Sequence, residues 1–350
     1  YAQAVEAMGF DHILTFDHVL GGNSATHDLR GPYKHTDSFH ELFVLYGFLA
    51  GITQNIELTS GIIILPQRQT ALVAKQAAAI DILSQGRLRL GVGIGWNHVE
   101  YEALGMNFGD RGKRSEEQVE VIFKAFNNDS FSHNGENYSI PPNVPYRGYE
   151  LREITLVPRP LRRPVECWQP IQSATPRGMD FMAKHGINGI IGGGSSEGGA
   201  MDQAVLRFQE AYHRSGHEIA LGARLSIGFH YHIANTQKEA TNQIREYYEE
   251  NLKIFGPLRL VRALSETQIE IMANPKLAPF SDLPTAEDAV KAGGILAGPS
   301  NLIIEQLKKL EARYPGLERV SVSHPVGTPQ SVITEQLQIF AENVIPEFTR

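Results

Sequence analysis

The chain has 350 residues, a hydrophobic fraction of 42% and a formal net charge of −7 at pH 7. This length supports one large core or two ordinary ones, and the negative charge argues against non-specific binding to nucleic acid. No stretch approaches the roughly 18 consecutive apolar residues that a membrane-spanning helix needs. The single cysteine, Cys167, excludes an internal disulfide, is expected to be a small buried apolar residue, and fits a cytoplasmic location.

Helical and strand-like patterns alternate from the first residues onward. The opening YAQAVEAMGF has the pattern of the second half of a helix that ends at Gly9, so we expect the chain to begin inside a fold. The first half then predicts strands at 11–18, 56–65 and 87–95 and helices at 37–53, 70–85 and 115–126. In the second half, strands are predicted in VECWQPI, INGIIGGG, LSIGFHYHI and RVSVS, with helices after Pro176, from about Ala200, from Thr236, over 300–313 and at the end of the chain.

The alternation amounts to seven β/α units in a row. Such regularity predicts a parallel sheet, which either stays open and doubly wound or closes as a barrel. A (β/α)8 TIM barrel needs one strand more than the chain shows, and the truncated first helix places that strand upstream of Tyr1. We therefore expect a single α/β barrel domain over residues 1–350, with insertions at about 20–38, 128–160 and 255–299.

The segment RLRLGVGIGWNHVE carries Gly91, Gly93 and Gly95 at every second position of a predicted strand. A dinucleotide-binding fingerprint would need its third glycine at position 96, where Trp96 stands instead. Because strand side chains alternate, the three glycines share one bare face. That face either leaves room for a flat ligand to approach the backbone or relieves crowding inside a barrel.

Two strand ends carry histidines, the side chain best suited to proton transfer near neutral pH. TFDHV places Asp17 and His18 at the carboxyl end of one strand, where barrel active sites lie. LSIGFHYHI places His230 and His232 on one face of another strand. An Asp–His pair is also common in loops, and two histidines without a carboxylate at useful spacing indicate a metal only weakly, so no metal site is expected.

The segment WQPIQSATPRGMDF ends a strand and begins a helix. Ser173, Thr175 and the amides of Arg177 and Gly178 would hold a phosphate there by hydrogen bonds and the helix dipole. Ordinary N-capping by Thr175 explains the same residues, and both functions can hold at once. A glycine run around Gly193 offers a second close approach of backbone to phosphate.

Taken together, MGFDHILTFDHV, residues 58–105 and GDRGKRSEEQ resemble the bacterial-luciferase-like superfamily of flavin- and deazaflavin-dependent oxidoreductases. The resemblance continues more weakly through ITLVPRPLRRPVECWQPIQSATPRG and the C-terminal helices, so it covers nearly the whole chain. It implies a (β/α)8 barrel with a flavin-type ring lying across the barrel mouth. The superfamily's frequent arginine in the glycine strand has no counterpart at the three glycines, so the charge of the phosphate would be met elsewhere.

The resemblance also implies which side chains contact the cofactor. The residues implied for the ring are Asp17, His18, Ile63, Ile64, Leu65, Gly95, Trp96 and Asn97. Those expected for the phosphate are Ser173, Thr175, Arg177, Gly178 and Gly193, with help from Arg111 or Arg114. Catalytic roles are expected for Asp17, His18, His230 and His232.

Two cofactor classes share this superfamily. Some members are two-component monooxygenases that take reduced FMN from a separate flavin reductase and use O2, and others transfer hydride with a deazaflavin, coenzyme F-420. GIGWNHVEYEALG is similar to the deazaflavin members, whereas ITLVPRPLRRP and WQPIQSATPRG are similar to FMN monooxygenases. We expect a homodimeric, reduced-FMN-dependent monooxygenase acting on a small organic substrate, with the hydride-transfer enzyme as the alternative. A non-catalytic flavin-binding subunit is a further alternative, against which the Asp17–His18 pair and the phosphate-site residues argue.

Overall fold

Parallel strands alternate with helices, which confirms the α/β class expected from the sequence patterns. The computed structural model describes residues 1–23, 25–27, 36–142, 145–171, 174–192, 199–255 and 284–348. The described chain divides into two compact units, unit 1 up to Gln169 and unit 2 from Pro170 onward. The single barrel domain, completed by a strand upstream of Tyr1, stays a prediction.

Unit 1 combines four helices of the α/β alternation with a short additional helix and two small hairpins. Its elements are α1 (Ala2–Ala7), β1 (His12–Thr15), α2 (Leu42–Ile52), β2 (Glu57–Ser60), β3 (Ile63–Ile64), α3 (Thr70–Leu83), β4 (Leu88–Gly93), α4 (His98–Ala103), α5 (Arg111–Asn127), β5 (His133–Asn134), β6 (Ser139–Ile140), β7 (Pro145–Tyr146), β8 (Tyr149–Glu150) and β9 (Cys167–Pro170). The antiparallel pairs β5–β6 and β7–β8 lie within the insertion expected at about 128–160.

The sheet of unit 1 is parallel, in the order β1, β2, β4, β9. Its register aligns Ile13 with Leu58, Leu58 with Leu88, and Leu90 with Cys167. All five side chains are buried, and Cys167 is the small core residue that its sequence context predicts. Because the strands are parallel, the polar residues that follow them gather at one edge of the sheet.

The strand predicted at 56–65 is interrupted. It splits into β2 and β3 at Gly61 and Ile62, whose connecting peptide is cis. The Gly61 amide donates to the Thr15 carbonyl at 2.7 Å, and Ile63 then pairs with Val92 of β4. The local pattern is strand-like throughout, so the interruption arises from contacts with the neighbouring strands.

This interruption gives the β4 glycines a packing role. A Cβ at Gly91 would stand 1.8 Å from the Ser60 carbonyl oxygen, and a Cβ at Gly93 would stand 2.6 Å from Ile62 Cδ1. The bare face of β4 is therefore filled by the segment between β2 and β3. Relief of crowding, rather than open space for a flat ligand, explains these two glycines.

Unit 2 is organised around one long strand. Its elements are α6 (Pro176–His185), β10 (Asn188–Ile191), α7 (Ala200–Arg214), β11 (Leu225–Ile233), α8 (Gln237–Phe255), α9 (Ala286–Lys291), β12 (Ile295–Gly298), α10 (Ser300–Arg313), β13 (Arg319–Ser323) and α11 (Gln330–Asn343). The strand β11 pairs in parallel with β10, β12 and β13. Its bounds coincide with the predicted LSIGFHYHI segment, in which bulky apolar side chains alternate with smaller or polar ones.

The insertion expected at about 255–299 contains two elements in its last part, α9 and β12. A reciprocal capping box between Thr285 and Asp288 begins α9. Ile244 and Tyr248 of α8 pack in one buried cluster with Val290 and with the β12 strand. Across the described ranges, every helix is too short or too polar to cross a membrane.

Candidate active site

Asp17 lies just after β1 and is 3% exposed. Its Oδ1 accepts from Arg68 Nη2 at 2.7 Å, and its Oδ2 accepts from Arg68 Nε at 3.2 Å and from the Ile64 amide at 3.1 Å. Such a two-pronged guanidinium–carboxylate pair is both strong and directional. The Asp17 carboxylate is thereby engaged in fixing the β3 strand end, which favours a positioning role over proton transfer.

Arg68 extends this network to the next helix. Its Nη1 donates to Glu41 Oε1 at 2.7 Å, while the other Glu41 oxygen accepts from the Val44 amide and caps α2. Burial lowers the pKa of Arg68, but the bonds and charges of Asp17 and Glu41 outweigh burial and raise it. Arg68 therefore remains a fixed cation that joins the ends of β1, β3 and α2.

His18 stands next to this network and faces a second carboxylate. Its Nδ1 lies 3.3 Å from Glu100 Oε2, and the imidazole side chain is 11% exposed. The ring also makes edge contacts with Phe39 and Trp96, at centroid distances of 4.8 and 6.2 Å. The imidazole is thus held on several sides while keeping some access to solvent.

Glu100 belongs to α4 and is 1% exposed. Its Oε1 accepts from the amides of Val19 at 2.5 Å and Leu20 at 3.1 Å, so its two oxygens serve different partners. Burial raises the pKa of Glu100, but the hydrogen bonds from His18 and the two amides outweigh burial and lower it. Glu100 is therefore an ionised carboxylate beside His18 at neutral pH.

Trp96 and Asn97 connect β4 to α4. Asn97 is the residue before the first turn of α4, and Trp96 is partly buried beside His18. The Tyr101 hydroxyl donates to the Ile94 carbonyl at 2.5 Å, which ties α4 back to the end of the strand. The β4–α4 connection and the short helix therefore bring an indole and a carboxylate next to one imidazole.

Residues 63–65, which are expected to contact the ring, can offer it mostly backbone atoms. Ile63 and Leu65 are fully buried and Ile64 is 4% exposed, so their side chains pack into the core. The turn that follows is held by Gln118, whose Nε2 donates to the carbonyls of Leu65 at 3.2 Å and Arg68 at 3.0 Å. The segment is rigid because a fully buried amide fixes its carbonyls.

Gly95 and the two arginines of α5 all lie in unit 1. Gly95 has φ +67°, a conformation that favours glycine, and a Cβ there would stand 2.8 Å from Ile64 Cγ2. Arg111 Nε donates to the Gly95 carbonyl at 3.4 Å, and its guanidinium stacks 3.5 Å from the Phe108 ring centroid. Arg114 donates at 3.2 Å to a carbonyl of the loop before α5. Both arginines thus bond to backbone in unit 1, and their expected phosphate contact stays a prediction.

In unit 2, three of the residues expected to bind phosphate, Thr175, Arg177 and Gly178, lie at the start of α6. Thr175 caps the helix, its Oγ1 accepting from the Gly178 amide at 3.1 Å, and both Thr175 and Arg177 are exposed. Ser173 and Gly193 lie outside the described residues. The cap predicted from the sequence is confirmed, and the phosphate contact stays a prediction.

The two unit 2 histidines have different surroundings. His230 Nδ1 lies 3.1 Å from Ser323 Oγ, and burial lowers the pKa of His230 to about 4. His232 is 5% exposed and its Nε2 lies 2.9 Å from Gln243 Oε1, an acceptor, while burial lowers the pKa of His232. A third histidine that the sequence did not single out, His324, adds to this group, and burial lowers its pKa to about 3. All three are neutral imidazoles at physiological pH, suited to hydrogen bonding.

The contacts of unit 1 add two residues that were not predicted as site residues, Glu100 and Arg68. Arg68 follows a strand end, a position at which barrel sites are built, so its place carried a signal. Glu100 lies one residue before a buried tyrosine in the short helix α4, and only the fold reveals its proximity to His18. Among the described residues, no three His, Cys, Asp or Glu side chains are arranged to hold a metal ion.

Comparison with known proteins places the chain in a family. The family model for luciferase-like monooxygenases matches residues 1–315. The chain belongs to the luciferase-like monooxygenase family. The family and the expectation of an enzyme, both based on the sequence resemblance, are thereby confirmed.

Among relatives of this luciferase-like protein is the FMNH2-dependent dimethylsulfone monooxygenase of Pseudomonas fluorescens. The two are 26% identical over 353 residues, covering 99% of this chain and 85% of that protein. An uncharacterized protein of Mycobacterium bovis is 33% identical over 148 residues, covering 40% of this chain and 51% of its own length, so the chain matches only about half of that relative. The oxygenase component of the flavin-dependent trigonelline monooxygenase of Acinetobacter baylyi is 29% identical, covering 40% of this chain and 36% of that protein.

Solved structures show the same fold in both cofactor classes. The oxygenating constituent of 3,6-diketocamphane monooxygenase from Pseudomonas putida, in complex with FMN, matches with a TM-score of 0.72 at 16% identity, covering 99% of this chain and 91% of that one. An F420-dependent secondary alcohol dehydrogenase matches with a TM-score of 0.68 at 15% identity, covering 100% of this chain and 93% of that one. At these identities the luciferase-like protein shares the fold with both enzymes.

Proposed function

We propose that this luciferase-like protein is the oxygenase of a two-component system, which uses reduced FMN and O2 to oxidise a small organic substrate. The observation that carries the proposal is the similarity along 99% of the chain to an FMNH2-dependent monooxygenase. The deazaflavin enzymes share the fold at 15% identity, which supports no choice of cofactor.

The residues of unit 1 fit a flavin-type ring by their chemistry. The partly buried Trp96 offers an aromatic surface, and the strand end at Ile64 and Leu65 offers backbone beside buried apolar side chains. His18 adds one imidazole that is restrained but partly exposed. An aromatic surface, backbone and a single polar group are the usual composition of a cofactor pocket.

The donors at the start of α6 in unit 2 fit a phosphate. The helix has ten residues, its positive end carries Thr175 and Pro176, and Thr175 can donate its own proton while accepting from Gly178. The exposed Arg177 supplies a cation of the kind that binds phosphate strongly.

Reduced FMN, when bound, supplies the two electrons with which O2 is split, one oxygen atom entering the substrate and the other leaving as water. The chain's own contribution is to position, to exclude water and to move a proton. His18 is the group we assign to hold and deliver that proton, because an imidazole is the side chain best suited to proton transfer near neutral pH and this ring is fixed by Glu100. Asp17 and Arg68 act through position, since they fix the strand end and the start of α2.

Rapid mixing with both cofactors tests the proposal directly. Protein loaded with reduced FMN, mixed with O2 in a stopped-flow spectrophotometer, should show a transient absorbance that matches neither oxidised nor reduced FMN. Protein loaded with reduced coenzyme F-420 should show no reaction with O2. Tight binding of coenzyme F-420, together with no transient from FMN, would instead support the hydride-transfer alternative.

We also propose that a separate flavin reductase supplies the reduced FMN. The support is the relative in Acinetobacter baylyi that is named as an oxygenase component. A reducing cytoplasm, which the single buried cysteine favours, is where we expect the pair to work. Photochemically reduced FMN should replace the reductase in a turnover assay, and a strict requirement for the second protein would argue for a tighter partnership.

A homodimer is proposed from one apolar face of unit 1. On α2, Val44 is 72% exposed and Phe48, one turn further, is 65% exposed, while Leu72 of α3 is 53% exposed. Val44 and Leu72 line a groove of about 340 Å³ together with Gln67, whose buried side-chain amide has no hydrogen-bond partner among the described residues. A twofold axis places the same patch on both subunits, so that exposed apolar side chains such as Val44 and Leu72 become covered by the partner's copy of this face.

Sedimentation velocity tests the dimer. Val44→Lys places a charge on the groove and should convert a dimer into a monomer at micromolar concentration. Leu206→Lys is the matched control. Leu206 is also an exposed aliphatic side chain, with 47% exposure, but it lies on α7 of unit 2. A monomeric wild-type protein, or an unchanged Val44→Lys dimer, would contradict the assignment.

A further inference from the structure

We propose that Glu100 is a positioning residue that fixes the neutral tautomer of His18, with the proton on Nδ1 and the lone pair on Nε2. The inference deepens the proposed function, since it names the nitrogen through which His18 accepts and returns a proton. It rests on the separate partners of the two Glu100 oxygens.

The hydrogen bond between His18 and Glu100 has only one possible direction. Glu100 is ionised at neutral pH, because the bonds that it accepts lower its pKa despite its burial. An ionised carboxylate only accepts hydrogen bonds, so the His18 nitrogen that faces it at 3.3 Å has to donate. That nitrogen is Nδ1, and a neutral imidazole carries only one proton, so Nε2 is left as the base.

The Glu100 carboxylate is held in one orientation. Glu100 Oε1 is held by two backbone donors, Val19 at 2.5 Å and Leu20 at 3.1 Å, and the side chain has no exposure. Oε2 therefore stays directed at His18. The edge contacts of Phe39 and Trp96 restrict rotation of the imidazole, so the choice of nitrogen is set by the fold.

The isosteric variant Glu100→Gln reverses this polarity without removing the backbone contacts. The glutamine oxygen has to face Val19 and Leu20, since turning the NH2 group toward two N–H donors would leave all of them unpaired. Its NH2 group then faces His18 Nδ1 as a donor. Nδ1 becomes the acceptor, and the neutral proton moves to Nε2.

The measurement is the ¹⁵N chemical shift of the two imidazole nitrogens, which separates protonated from unprotonated nitrogen. The chain has 13 histidines, so the His18 signals are identified as those missing from His18→Gln. In protein without cofactor, at about pH 8 where an ordinary histidine is neutral, wild type should show the proton on Nδ1 and Glu100→Gln should show it on Nε2. A wild-type proton on Nε2, or an unchanged tautomer in Glu100→Gln, would overturn the proposal.

A control and an activity measurement complete the test. Glu102→Gln makes the same chemical change on the same helix at a side chain that is 65% exposed, and it should leave tautomer and turnover unchanged. Glu100→Gln should lower turnover on the order of 10²-fold or more, the scale expected when a general base is lost. Normal turnover of Glu100→Gln despite an altered His18 tautomer would show that Glu100 does not act as a positioning residue in catalysis. Absence of monooxygenation in wild type would refute the proposed function alone, because the tautomer is measured without cofactor.

Discussion

Substituting alanine along β4 measures how tightly the interrupted strand packs on its glycines. At Gly91 the added Cβ would lie 1.8 Å from the Ser60 carbonyl oxygen, far inside the ordinary contact range of 3.4–4 Å. The obstacle is backbone, and the Ser60 hydroxyl also bonds the Gly91 carbonyl at 2.8 Å, so the strands cannot separate freely. We expect Gly91→Ala to cost about 3 kcal/mol or more, the upper range for overpacking.

Two further substitutions make this a graded series. At Gly93 the obstacle is the terminal Cδ1 of Ile62, a methyl that can rotate away, so the cost should be about 1–2 kcal/mol. Gly112 lies in α5 with nothing within 4 Å of a built Cβ, so Gly112→Ala should stabilise by about 0.5–1 kcal/mol. Because the unfolding entropy is about 2.1 cal/mol/K per residue, 1 kcal/mol corresponds to roughly 1.4 °C in a chain of 350 residues, and Gly91→Ala should melt about 4 °C or more below wild type.

Thermal melting followed by circular dichroism measures the series. The expected order of melting temperatures is Gly112→Ala, wild type, Gly93→Ala and Gly91→Ala, from highest to lowest. A Gly91→Ala protein that melts with wild type, or above Gly93→Ala, would show that the face of β4 is open. That result would support the other interpretation of these glycines, a bare strand face that leaves room for a flat ligand.

Three other outcomes are expected. His18→Ala should lower product formation on the order of 10²-fold while the melting temperature stays within a few degrees, and the exposed His98→Ala on α4 should change neither. The double variant Ser173→Ala and Thr175→Ala should weaken FMN binding at least ~100-fold by calorimetry, and wild-type affinity would leave Thr175 as a helix cap only. Burial raises the pKa of Glu117, but the hydrogen bonds that its carboxylate accepts outweigh burial and lower it. Ionised Glu117 therefore stabilises the folded protein above the unfolded-state pKa of about 4.3, and this stabilisation is lost as the pH falls through the lower folded-state pKa. Urea unfolding of Glu117→Gln between about pH 5 and pH 3 should therefore depend less on pH than that of wild type, and parallel curves would contradict this.

The sequence predicts those parts of the fold whose signals are local. Helix α3 begins at Thr70 as predicted, and β11 matches its predicted bounds, because period and end signals agree there. The helix predicted from residue 37 begins only at Leu42, since Glu41 caps it from a position that an apolar pattern does not mark. The break at Gly61 depends on glycines thirty residues away on β4, so no local pattern contains it.

In the candidate site, too, some residues have a local sequence signal and others are brought in only by distant contacts. Asp17 and His18 are adjacent in sequence and could be selected from a strand end alone. Their partners Arg68 and Glu100 are 51 and 82 positions away, and a single sequence does not say which charged side chains the fold will bury together. Asp17 was expected to be catalytic, but its contacts with Arg68 and a backbone amide favour a positioning role, which no sequence spacing indicates.

The carboxylates at both ends of the segment 20–41 have a consequence for how this protein can change over evolution. Glu100 fixes the Leu20 amide at the segment's entrance, and Arg68 fixes Glu41 at its exit. Phe39, which lies within the segment, contacts the His18 ring and belongs to its supports. Because doubling the length of a segment closed at both ends costs only about 0.6 kcal/mol in closure entropy, its length can change at little cost while both anchors hold. Sequence changes between the anchors that keep Phe39 should therefore leave His18 and its supports in place.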